Sequence, residues 1–111
     1  MSRKIKESDW KVLRDLYGVA LERYCRRTIE EFRSATESCS SSYHDCYLNL
    51  FKLIQMRDKQ LAALFDDLRR SNAFFILLSL KRAGLITADE LMRISAETRD
   101  ELEEVEAFSS L

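Results

Sequence analysis

Residues 8–35 read SDWKVLRDLYGVALERYCRRTIEEFRSA. Within them Leu13, Tyr17, Ala20, Tyr24, Thr28 and Phe32 recur at intervals of three and four, the repeat of an α-helix with one face turned inward. Val12, Leu16 and Val19 form a second row beside the first, so the apolar arc is wide in the first half of the stretch. Farther along, the arc turns toward Cys25, Ile29 and Phe32. Ser8 stands where an N-cap belongs, and Asp9 follows it near the positive end of the helix. An arc this wide faces two neighbours at once. Residues 10–19 are therefore either the best-buried part of the fold or a contact surface.

The rest of the chain agrees with a helical reading. Its 111 residues include no proline and two glycines, Gly18 and Gly84. A β fold of this length would need many turns, and turns are written with glycine, proline, asparagine and aspartate. The 46% hydrophobic and 33% charged residues suit packed helices with a wet outer face, not a disordered chain. The expected fold is all-α, an antiparallel helical bundle of four to five helices with a long N-terminal helix. The length predicts a single domain over 1–111, with 1–7 flexible and 109–111 frayed.

Helix boundaries follow from local chemistry. The serine-rich run 38–42 breaks the chain, because serine competes with the helical backbone, and a second helix is predicted from near Ser42. Tyr47, Leu50, Ile54, Arg57, Leu61, Leu64 and Leu68 then step by three and four. One helix to about Arg69 and two helices broken within 57–60 both fit this pattern. Residues 73–80 are apolar nearly all round, as in the middle of a core. Lys81 and Arg82 suit the negative end of that helix, and Gly84 suits the position just past it. Thr87 with Glu90 forms a capping box, and Ser95 caps a last acidic helix carrying Leu102, Val105 and Phe108.

Several short motifs, taken in order, resemble a group of small bacterial all-helical proteins with no established function. They are Asp9-Trp10-Lys11, Arg57-Asp58-Lys59, Arg70-Ser71-Asn72, Leu85-Ile86, Glu90-Leu91 and Ser95, spread over 8–105. The resemblance implies no activity. In that group the stretch matching 60–63 carries helix breakers, which implies two helices meeting near residue 60. This sequence has Gln60, Leu61, Ala62 and Ala63 there, none of them a breaker.

Charge divides unevenly. Residues 1–87 hold 16 Lys/Arg against 11 Asp/Glu, and 88–111 hold 2 against 8. The simplest account is an acidic tail docked on a basic body. No apolar h-region follows the N-terminus, and the longest apolar run is too short to span a membrane. Three cysteines, Cys25, Cys39 and Cys46, cannot all pair within one chain, and they are read as reduced thiols of a cytoplasmic protein. Cys39, His44 and Cys46 offer three ligands at a spacing unlike a zinc site, which wants four. No glycine loop supplies an oxyanion hole for a Cys–His pair. The sequence therefore points to no catalytic residue, metal or cofactor. Arg57 falls on the apolar row between Ile54 and Leu61, so it either extends its head to solvent or pairs with a carboxylate on another helix.

These features predict a non-enzymatic protein that associates with a protein partner or with itself. The expected contact residues are Trp10, Val12, Leu16, Val19, Arg23, Arg26 and Arg27. The alternative is a small nucleic-acid-binding or regulatory protein using the basic face of 1–87. It ranks lower because Glu22, Glu30 and Glu31 interleave with the arginines.

Overall fold

The serine run and the capping box each stop or start a helix where their chemistry requires. A computed structural model of the chain describes residues 4–109. Among these residues the chain forms five helices and no strand: α1 (Glu7–Glu37), α2 (Tyr43–Phe65), α3 (Ala73–Arg82), α4 (Ala88–Leu91) and α5 (Ala96–Ser109). The protein is all-helical with a long first helix. No described helix is long and apolar enough to cross a membrane.

Ser42 is the N-cap of α2, its Oγ accepting from the Asp45 N–H at 3.1 Å. Both halves of the Thr87–Glu90 capping box are present, with the side chain of each residue accepting from the backbone N–H of the other. The end of α3 closes through Gly84 at φ 70°, a left-handed conformation that glycine adopts without a Cβ clash. Gly84 N–H donates to the Lys81 carbonyl and Leu85 N–H to the Leu80 carbonyl, satisfying two carbonyls the helix end would leave open.

Two boundaries correct the sequence reading. α2 runs unbroken through 57–60, against the two helices that the family resemblance implied. Arg57, Lys59 and Gln60 there, and Leu61, Ala62 and Ala63 just beyond, are good helix formers, and nothing interrupts the hydrogen-bond ladder. α1 begins at Glu7, where the Trp10 N–H reaches the Lys6 carbonyl, so Ser8 lies inside the first turn and caps nothing. Of the ends expected to be loose, 1–3 and 110–111 lie outside the described residues, while Glu7 and Ser109 are helical.

The chain forms two compact units. The first combines Met1–Ala20 with Leu68–Leu111. Its core is Leu13, Leu16, Phe74, Leu77, Leu80, Leu85, Ile94 and Leu102, all fully buried. Trp10 is buried too, beneath the Arg70 guanidinium 5.1 Å from its ring centre, and that arginine also donates to Glu7. Lys6 and Lys81 form ion pairs with Glu97 and Glu106, so the acidic tail does meet basic groups of this unit.

Asp9 is the exception in this core, a carboxylate only 1% exposed. It reaches from α1 to the start of α5. There it accepts from the Ser95 N–H at 2.8 Å, the Ser95 hydroxyl at 2.7 Å and the Thr98 hydroxyl at 2.6 Å. It supplies a negative charge to the positive end of a helix distant in sequence. Burial pushes its pKa up, but the hydrogen bonds from Thr98 and Ser95 outweigh burial and hold it below the ordinary aspartate value.

The second unit, Leu21–Asp67, holds the rest of α1 and all of α2. It is built differently: Tyr24 is its only buried residue, and α2 has none.

Asp9→Ala removes the acceptor of the buried Thr98 hydroxyl and of two part-buried Ser95 donors, and is expected to cost about 3 kcal/mol of stability at neutral pH. Because the folded pKa is lowered, the carboxylate's contribution is complete above an unfolded value of about 4 and fades as pH falls through the folded one. Urea unfolding of both proteins at neutral and strongly acid pH checks this; the gap between them should narrow in acid.

Candidate functional site

The second unit is a hairpin, and three cross-links show its pairing. Near its open end the Tyr24 hydroxyl donates to the Arg57 carbonyl at 2.6 Å, and the Tyr24 ring lies 6.1 Å from that of Phe65. Burial raises the phenol's pKa. Farther along, Arg57 grips Glu31 with two parallel bonds, Nε to Oε1 at 2.6 Å and Nη2 to Oε2 at 2.7 Å. At the turn Cys39 and Cys46 form a disulfide with Cα atoms 6.0 Å apart. Partners on α2 fall in number as those on α1 rise, so α1 after residue 20 and α2 run side by side in opposite directions.

Two sequence expectations are decided here. Arg57 does pair with a carboxylate on another helix, and the pair is half-buried rather than sealed in a core. The guanidinium holds the Glu31 carboxyl below its usual range. The expectation of three reduced thiols is corrected. Cys39 and Cys46 flank the serine turn, which brings them within bonding reach, and Cys25 is left as the free cysteine. With both sulfurs bonded to each other, Cys39 and Cys46 are neither nucleophile nor zinc ligands, and His44 is exposed. Among the described residues no group of three or more histidine, cysteine or acidic side chains is placed to hold a metal.

Between the two helices lies an open groove of about 370 Å³. α1 contributes Thr28, Ile29 and Phe32 to it, and α2 contributes Tyr47, Leu50, Phe51 and Ile54. A second hollow of about 200 Å³ shares Thr28, Ile29 and Ile54 with the first and extends past Cys25 to Asp58 and Leu61. The two make one apolar strip along the hairpin. Its flanks are exposed: Ile29, Tyr47, Phe51 and Ile54 all stand in solvent, as does Tyr43 one helical turn before Tyr47 on α2. A run of large apolar side chains left open in this way marks a surface built to be covered.

The strip is not where the contact residues were expected. Trp10 and Leu16 are buried in the first unit and cannot form an exposed contact, and Val12 is half-buried. Val19 is exposed. Of the arginines, Arg26 bonds Glu30 one turn on, Arg27 is exposed and Arg23 is half-buried. The sequence did hold a signal for the strip. Tyr43 and Phe51 lie beside the row that runs through Tyr47, Leu50, Ile54 and Leu61, giving α2 a wider apolar arc than one neighbouring helix can cover.

Compared with protein families, curated proteins and solved structures, the chain matches none.

A double-mutant cycle with Glu31→Gln and Arg57→Met should give a coupling of about 1 kcal/mol that shrinks in high salt, as for a half-exposed bidentate pair. Thiol titration of the unfolded, unreduced protein should find Cys25 alone, and all three cysteines after reduction. Three reactive thiols without reductant would contradict the disulfide.

Proposed function

We propose that this protein is a non-enzymatic association module and that its working surface is the apolar strip of the α1–α2 hairpin. One observation carries the reading: the second unit buries only Tyr24 while standing five large apolar side chains in solvent along one strip. Units this small rarely enclose a core unaided and commonly rely on disulfides, metals or association. This hairpin has the disulfide. Its open strip is the kind of surface that association covers.

The lining of the larger hollow is apolar apart from the Thr28 and Tyr47 hydroxyls, while Cys25, Arg57 and Asp58 line the smaller one. The antiparallel bundle of the chain's own four to five helices expected from the sequence belongs to the same proposal, and the opposed directions of α1 after residue 20 and α2 support it.

Affinity capture from the natural source tests the reading, with the wild type run beside Phe51→Glu and Phe108→Glu. Phe51 lines the groove, and Phe108 is an exposed phenylalanine of the first unit. The wild type and Phe108→Glu should retain at least one protein, further copies of the chain included, that Phe51→Glu loses. An identical retained set for all three overturns the reading. Both substitutions are at exposed positions, so helicity by circular dichroism should be unchanged.

A further inference from the structure

Resting on that reading, we infer that the strip is covered by the same strip of a second copy, the two hairpins making a two-fold four-helix bundle.

The first argument is area. Tyr43, Tyr47 and Phe51 are 96%, 65% and 50% exposed. At about 200 Å² for a whole aromatic side chain, they alone offer about 400 Å². A stable interface takes roughly 800 Å² from each partner. Ile29 at 61% and Ile54 at 43% add about one further isoleucine between them, and the groove floor lies between the crests. The exposed crests thus supply roughly two thirds of what each partner of a standard dimer buries, without recruiting the first unit.

The second argument is shape. A self-complementary interface must carry both halves of its own fit on one patch. Here Ile29, Tyr47 and Phe51 stand up as crests on either side of an open groove. Turned through a two-fold axis, the crests of one hairpin have the groove of the other to fill. The strip is also long enough for the ridge-and-groove packing of a four-helix bundle: from Tyr47 to Leu61 it spans about 20 Å of helix.

The third argument is charge. The hairpin carries 7 Lys/Arg and 8 Asp/Glu over residues 21–67, a net of −1. Both signs are interspersed, and Arg57 at the edge of the strip is already held by Glu31. A second copy meets no single-sign field opposing it. A strongly basic or acidic partner would find no opposite field to read.

Sedimentation equilibrium of the purified, unreduced chain over a low- to high-micromolar series tests the inference. The variants are Phe51→Glu on α2, Ile29→Glu on α1, and Phe108→Glu as a control away from the strip. The wild type and Phe108→Glu should pass reversibly from monomer to dimer mass. Phe51→Glu and Ile29→Glu should weaken dimerisation by roughly 100-fold or more, with helicity retained. A wild type that stays monomeric throughout overturns the inference, and so does a dimer indifferent to both groove variants. The capture experiment separates the two levels. A monomeric wild type that still captures another protein through Phe51 refutes the second copy and leaves the association reading standing. A monomer with no Phe51-dependent capture refutes both.

Discussion

Two helices touch along one line. Each can hide only the stripe facing its neighbour, and the rest of its circumference meets solvent or a third body. That constraint shapes the Leu21–Asp67 unit. Its fixings all lie along the single contact line: the Tyr24 hydroxyl on the Arg57 carbonyl, the Glu31–Arg57 fork and the disulfide at the turn. They hold the two helices side by side and set which residues pair. They do not enclose a core, so the apolar residues one step around each helix remain open.

The first unit meets the same constraint with more helices. There the apolar stripe of α1 before residue 20 is buried, and even a carboxylate is taken into the interior because three donors wait for it. Asp9 would be costly to bury unpaired. Paired with Ser95 and Thr98, it aligns the start of α5 with the start of α1. The contrast is one of partners rather than composition: both units contain enough apolar residues, but the first supplies several elements to cover them and the second supplies two.

Local chemistry carried most of the fold. Ser42, Thr87, Glu90 and Gly84 act on backbone groups within a few residues, so their roles can be read from short windows. What escaped depends on distant groups. Ser8 and Asp9 look like a helix start, yet the Asp9 oxygens serve a helix 86–89 residues further on, which no local pattern reveals. The arc of 10–19 is plain in the periodicity, but whether it is covered depends on where 68–109 folds. Three reduced thiols were expected because no secretory signal stands in the sequence, whereas the geometry of a short serine turn decides that two of them meet. The exposed strip was half legible: the breadth of the α2 arc was written in Tyr47, Phe51 and Ile54, while the number of helices available to cover it was not.

The path of the chain through these units has a consequence for the order of folding. In the hairpin the Tyr24–Phe65 contact joins residues 41 apart, and the disulfide spans 7. The first unit closes only when Asp9 finds Ser95 and Thr98. Loops of that size are slow to close, whereas short-range helical contacts form early. During synthesis the hairpin emerges whole before most of α5 exists. The half of the molecule with the most uncovered apolar surface is therefore the half that forms first, and its strip is available for company before the first unit has assembled.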